Sequence, residues 1–299
     1  MKSTVLLALD TSTEFCSVAL LLDQPAPATA FGSVAKLESG PVFTVAPHYS
    51  SGTLHIWFRH EATGPVSSTR LLPAIRELFD EAGLALADCA AIAFGSGPGS
   101  FTGLRTATGV AQGLAFGLGI PVVPVGTLLA CAEFARLNEP SATRVLSALD
   151  ARMDEAYWAD FAWDETAGDW LVHQAASLDV PDAIALPDVP FILAGNAAAV
   201  FGARMPAVSA ARKVDGGAVP HALPVALAGL RGLAAGRSIP ADQAAPEYVR
   251  NKVAQTTVER LEARAVKDAK NAQANARDDS PGTLDDSAHS VAPEKEPIR

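Results

Sequence analysis

The chain has 299 residues, 49% apolar and 19% charged, with a formal net charge of −10. That length allows one large or two smaller domains, and the apolar share with a positive mean hydropathy excludes general disorder. The acidic excess weighs against a nucleic-acid-binding surface acting alone, because it repels phosphate backbones at long range.

In chain order, residues 5–9 and 16–22 read as short strands separated by Asp10-Thr11-Ser12-Thr13-Glu14, a hairpin signal. Residues 24–52, rich in Pro, Ala, Gly and Ser, read as an irregular insertion, and 54–58 as a strand. Over 67–82 the spacing of Leu71, Leu72, Ile75, Leu78 and Phe79 predicts a helix, with Ser67 or Ser68 as cap and Gly83 as stop. A strand at 90–94 runs into the glycine-rich stretch Gly95–Gly103 and a helix over 102–118. Strand 122–125, helix 127–137, strands 145–149 and 156–161 and strand 192–194 follow. Residues 246–250 form an amphipathic extended piece expected to pack back on the body. Residues 265–299 lack apolar periodicity and read as a disordered tail. Such strand–helix alternation argues an α/β protein.

No apolar run approaches the roughly 20 residues of a membrane helix. The run at 5–9 is shorter than the secretory core region of about 7–15 residues. Cys16, Cys89 and Cys131 lack the paired spacing of a disulfide framework or zinc site, and read as buried thiols in a reducing compartment. The expectation is a soluble, cytoplasmic protein without membrane contact.

A short repeat bears on architecture. Ala8-Leu9-Asp10 and Ala148-Leu149-Asp150 each end a strand, and each is followed by a polar turn and a returning strand. A duplicated α/β unit would set Asp10 and Asp150 facing one another across a cleft between two similar lobes. Such a cleft suits a nucleotide whose phosphates sit between hairpin turns rich in backbone N–H groups. Asp10, Thr11, Ser12, Gly97, Gly99, Asp150, Gly195 and Asn196 are the candidate, vestigial nucleotide site. Each has a plainer reading. The aspartates bond their own turns instead of positioning a metal-bound water. Asn196 caps a helix instead of a nucleoside. The loop from Gly95 to Gly103 fits neither a Walker loop nor G-x-G-x-x-G, and is either an anion cradle or a tight strand-to-helix turn.

The helix after that loop is glycine-heavy. Gly109, Gly113 and Gly117 recur every fourth residue, forming a smooth stripe although each costs about 1 kcal/mol relative to Ala. The stripe admits close approach of another helix, either 67–82 of the same chain or a helix of another subunit. Arg105 lies in the first turn, where the helix dipole disfavours a cation, so an acidic or phosphate partner is expected. The histidines supply no H-x-x-x-H or H-E-x-x-H, no G-x-S-x-G elbow occurs, and 126–130 holds no histidine.

The blocks LALDTSTEFCSVAL at 7–20, SSTRLLPAIRELF at 67–79 and GSGPGSFTGLRTATGVAQGLA at 95–115 resemble those of the TsaB (YeaZ-like) family, relatives of TsaD. PVVPVGTLLACA at 121–132, LDARMDEAYWADF at 149–161 and PEYVRNKVA at 246–254 extend the resemblance over about residues 1–264. It implies a duplicated actin-like (ASKHA, ribonuclease H-like) α/β fold. The lobes would be 1–118, carrying the 24–52 insertion, and 119–235, followed by 236–264 packing back and the tail 265–299. It also implies a protein that is not itself an enzyme. Such a protein pairs with TsaD, which transfers threonylcarbamoyl to N6 of the adenosine beside the tRNA anticodon. TsaE, a small ATPase, joins the pair; the enzyme that makes threonylcarbamoyl-adenylate is a further partner.

In that scheme tRNA is met only through the complex, no cofactor is required, and ATP or ADP belongs to the assembly. The isolated chain forms a homodimer through the helices that otherwise meet TsaD. The TsaD metal ligands H-x-x-x-H would fall at 126–130 here, where none stands. The expected interface joins Leu71, Leu72, Ile75 and Leu78 of the first helix to Arg105, Gly109, Gly113 and Gly117 of the second. Two other classes compete: an active actin-like ATPase or small-molecule kinase using Asp10 and Asp150, and an M22-type metallopeptidase, which the missing ligands argue against.

Overall fold

Two sheets with the same connectivity organise the chain. The computed structural model describes residues 3–24, 48–51 and 54–250. Most of the 24–52 insertion, the part of 236–264 beyond 250, and the 265–299 tail lie outside the described residues. The first sheet has strands β1 (Thr4–Asp10), β2 (Phe15–Asp23), β3 (His48–Ser51), β4 (Leu54–Ala62), β5 (Cys89–Gly97) and β6 (Val122–Gly126), in the order β3-β4-β2-β1-β5-β6. The second has β7 (Arg144–Asp150), β8 (Ala156–Asp164), β9 (Asp169–Asp179), β10 (Ile192–Ala194) and β11 (Lys213–Asp215), in the order β11-β10-β7-β8-β9.

In each sheet an antiparallel hairpin, β1–β2 or β7–β8, is followed by strands parallel to its first member. The order β4-β2-β1-β5-β6 thus has its counterpart in β9-β8-β7-β10-β11. This is the duplicated two-lobe α/β arrangement expected from the Ala-Leu-Asp repeat.

Helices α1 (Ser67–Ala82), α2 (Phe101–Leu118), α3 (Thr127–Asn138), α4 (Ala197–Phe201), α5 (Pro206–Ala210) and α6 (Ala222–Ala234) cover the sheets. Side chains of a strand alternate between its faces. Val5, Leu7 and Leu9 of β1 accordingly join Leu71, Ile75 and Leu78 of α1 and Ala107, Ala111 and Ala115 of α2 in one core. Leu6 and Ala8 face the other way, onto Ala222, Leu223, Val225 and Ala226 of α6. Around the second sheet, Leu128, Cys131 and Ala135 of α3 pack on Val145, Leu149 and Ile192, while α4 and α5 cover Leu146 and Leu193.

The covers are exchanged. Helix α3 leaves the first sheet yet lies on the second, and α6 leaves the second sheet yet lies on the first. The expected lobe boundary at 118 therefore moves, because β6 belongs to the first sheet and α6 completes its core. An ion network ties the exchange down. Buried Glu133 of α3 pairs with Arg231 of α6 and accepts from Trp170 Nε1 at 2.7 Å. Arg231 also reaches Asp169 at the start of β9, at 3.1 Å.

Two local expectations shift. Helix α1 begins after Val66, and Ser67 is inside it, donating to the Gly64 carbonyl at 3.1 Å instead of capping. Gly83 stops the helix in the left-handed region at φ +65°, as the sequence predicts. Among the described residues no helix is long and apolar enough to cross a membrane.

Candidate functional site

Strand β5 runs to Gly97, then turns into α2, whose N-cap Ser100 accepts a hydrogen bond from the Gly103 N–H. This turn lies directly on the β1–β2 hairpin. Ser100 N–H donates to the Ser12 carbonyl at 2.7 Å, and Thr11 Oγ1 donates to the Gly103 carbonyl at 2.6 Å. From the other side, Glu247 N–H donates to the Ser96 carbonyl at 2.7 Å, so the extended piece near 246–250 does pack back on the body. Added Cβ atoms show why glycine is needed. At Gly95 one would overlap Asp10 Oδ2, at Gly97 (φ +129°) the Glu247 carbonyl, and at Gly103 the Thr11 carbonyl. At Gly99 it would lie 2.7 Å from the Ser12 carbonyl.

The glycine-rich loop is therefore a close-packed turn. The anion cradle expected at Gly97 and Gly99 is corrected: the space a phosphate needs beside them holds Ser12 and Glu247. Thr11 and Ser12 likewise direct their hydroxyls to the chain's own groups, with Ser12 Oγ donating to Asp10 Oδ1 at 2.9 Å.

Asp10 is buried. Its Oδ1 also accepts from Ser12 N–H at 3.0 Å, while Oδ2 has no hydrogen-bond partner among the described residues. Burial pushes its carboxyl up to about 6, against the opposing pull of the Ser12 bonds. The second lobe repeats the turn. Asp150 Oδ1 accepts from Arg152 N–H at 2.9 Å, two residues on, as Asp10 does from Ser12. Asp150 also pairs with Arg152 at 3.1 Å. Gly195 (φ +102°) abuts the Ala148 carbonyl, and Asn196 directs its side chain to Asp150 N–H at 2.9 Å without capping α4 through its side chain. Both aspartates thus follow the turn reading. Among the described residues no group of three or more His, Cys, Asp or Glu is placed to hold a metal ion. A single orphan oxygen, Asp10 Oδ2, does not make a metal donor set.

Helix α2 presents two contrasting faces. Leu104, Ala107, Thr108, Ala111 and Ala115 are buried, whereas a Cβ at Gly109, Gly113 or Gly117 would touch nothing within 4 Å. The reading in which α1 of the same chain lies on the glycine stripe is thereby overturned. Phe116 stands three residues after Gly113, at the spacing of one helix face, and is 75% exposed. It carried no signal in the sequence beyond its position opposite the buried row.

The expected contribution of α1 to this surface is corrected too. Leu71, Ile75 and Leu78 are buried in the chain's own core, because the apolar stripe of α1 faces the sheet. Leu72 alone of that set stays on the surface, at 52% exposure. Arg105, for which an acidic or phosphate partner is expected, has neither among the described residues. Its Nε donates to Tyr248 Oη at 3.0 Å, and its guanidinium lies 3.9 Å from the centre of the Phe101 ring. The Phe101 and Tyr248 rings stand 5.4 Å apart.

Comparison with known proteins gives a consistent picture. A family model described as TsaD, tRNA N6-adenosine threonylcarbamoyltransferase, matches residues 63–258. The chain is 36% identical over 179 residues to the tRNA threonylcarbamoyladenosine biosynthesis protein TsaB of Escherichia coli, covering 60% of this chain and 64% of that one. With the Haemophilus influenzae protein of the same name it shares 38% over 170 residues, 57% of this chain and 59% of that one. The matches thus span a little under two thirds of these two relatives. The solved structure of YeaZ from Pseudomonas aeruginosa superposes with a TM-score of 0.66 at 36% identity, covering 82% of this chain and 99% of that one.

Proposed function

The chain belongs to the TsaB (YeaZ-like) family of TsaD-related proteins, and from that premise we propose that it is a non-catalytic subunit for threonylcarbamoyl transfer to tRNA. It pairs with TsaD, which performs the transfer to N6 of the adenosine beside the anticodon. TsaE and the synthase of threonylcarbamoyl-adenylate act with the pair, tRNA is met through the complex, and the isolated chain dimerises through the same helix face.

One observation carries this reading: the open row Gly109, Gly113, Gly117 beside exposed Phe116 on α2. Three glycines in one helix weaken it by about 1 kcal/mol each. Nothing among the described residues packs against their α-carbons to compensate. A second helix approaching that row would bury backbone and the Phe116 ring together. The absence of histidine at 126–130 and the filled space beside Gly97 and Gly99 support a supporting role over turnover by this chain.

Two measurements test it. Reconstituted tRNA modification should fall to background when this protein is withheld and return when it is added. Gly113→Leu should fold normally yet fail to co-purify with TsaD, since its branched side chain stands where the facing helix must lie. Modification that proceeds at full rate without the protein would end the proposal.

A further inference from the structure

The glycine row does not begin at Gly109. Counting back by four along α2 gives Arg105 and then Phe101, so Phe101, Arg105, Gly109, Gly113 and Gly117 form one continuous row that winds round the helix, with Arg105 next to Gly109. Arg105 is thus the one charge set into an otherwise smooth surface. It is also unusually placed. Arg59, Arg70, Arg144 and Arg231 each pair with a carboxylate of this chain. Arg105 has none among the described residues, and it stands one turn from the N-terminus of α2, the end whose dipole does not favour a cation.

Two neutral groups hold it instead. The Phe101 ring supports the guanidinium face at 3.9 Å, and Tyr248 Oη accepts from Nε at 3.0 Å. Tyr248 is itself anchored, because the adjoining Glu247 N–H is bonded to the Ser96 carbonyl of the glycine-rich turn. Both terminal nitrogens of Arg105 are left without a hydrogen bond or ion pair among the described residues. Phe101 and Tyr248 remain 40% and 43% exposed beside it.

We infer that Arg105 is a specificity residue of the α2 face, clamped by Phe101 and Tyr248 so that its two free N–H edges receive a carboxylate from the protein that covers the glycine row. A planar guanidinium fixed along one edge meets a carboxylate bidentately with little further loss of side-chain freedom. The occupant is a protein side chain, since the row it continues is smooth and apolar and α2 offers this one cation, whereas a phosphate backbone is held by several Lys or Arg together. This inference rests on the proposed pairing with TsaD and adds the chemistry TsaD must present there: an Asp or Glu facing the start of α2.

The test is the affinity of the full-length chain for purified TsaD, by calorimetry at 50 and 300 mM salt. Arg105→Ala should weaken binding about 30-fold at low salt and flatten the salt dependence. Arg105→Lys should restore a minor part, and Tyr248→Phe, which keeps the ring but removes the accepting oxygen, should cost about 5-fold. Unchanged affinity and salt dependence for Arg105→Ala, with Gly113→Leu still abolishing the complex, would overturn the inference and leave the pairing intact. If Arg105→Ala spares TsaD but removes tRNA from the assembled complex, the ligand is a phosphate and the inference falls. No measurable complex with the unaltered chain overturns the pairing and this inference together.

Discussion

A methyl group added at Gly229 of α6 would sit 2.5 Å from the Ala93 Cβ, and one at Gly232 would sit 2.8 Å from Val123 Cγ1. The same group added at Gly109, Gly113 or Gly117 of α2 would meet nothing within 4 Å. Glycine in a helix interior costs about the same in either place. On α6 the cost is recovered inside the molecule, by bringing the helix close onto β5 and β6. On α2 nothing among the described residues recovers it, and the helix proposed to cover that face would. Small residues alone do not separate these cases; what their α-carbons face does.

The comparison breaks most sharply at Gly229. Replacing it with Ala forces α6 off the first sheet, and urea unfolding should show a loss of about 3 kcal/mol; a loss under about 0.5 kcal/mol would mean the close packing carries no energy. The next effect sharpens the difference through the caps. Helix α2 is capped by Ser100, which does not titrate, and α6 by His221 Nδ1, which accepts from Leu223 N–H at 3.2 Å. His221 is buried beside His60, with ring centres 4.9 Å apart, and burial pushes His60 down to about 4 and lowers His221 as well.

The unfolded chain takes up these protons near pH 6.5, whereas in the fold His60 resists until about 4 and His221 also stays neutral well below 6.5. The stability held by the neutral rings is thus complete above pH 6.5 and is lost as pH falls from there toward 4. Asp10 works in the opposite sense, its contribution present below about 4 and lost as pH rises through about 6. Between pH 7.5 and 5, Asp10→Asn should therefore lose at least about 2 kcal/mol of unfolding free energy, the part due to His60 alone, and the unaltered chain less. Equal losses in the two proteins would refute the opposing contribution of Asp10. The smallest expected effect belongs to the open helix: at a dilution where the chain is monomeric, Gly113→Ala should raise stability by roughly 0.5–1 kcal/mol. A decrease at that dilution would show that the chain itself covers the face.

Local patterning carried much of this architecture. The apolar spacing in 67–82 and the glycine at 83 match the bounds of α1. The strand-Asp-turn-strand repeat anticipated two sheets with the same connectivity, and the two carboxylates make the same bond to the N–H two residues on. Partner identity was not legible at that level. The stripe Leu71, Ile75, Leu78 shows that α1 buries a face, and periodicity is the same whether that face meets its own sheet or another molecule. Glycine spacing at 109, 113 and 117 likewise could not choose between α1 and an outside helix; the open space above it removes α1. The glycine-rich loop looked equally apt for an anion or for tight packing, because both need a missing Cβ, and the contacts to Ser12, Thr11 and Glu247 became visible only once distant segments were placed together.

The exchange of α3 and α6 has a consequence for how the polypeptide is born. A nascent chain that has emerged only as far as β6 possesses every strand of the first sheet, yet Leu6, Ala8, Ala91, Ala93 and Val123 face the helix that starts at 222. Roughly a hundred more residues must be synthesised before that helix arrives. Through that interval one side of the sheet stays wet and sticky, the stretch of its life in which the protein is most exposed to aggregation and most in need of a chaperone.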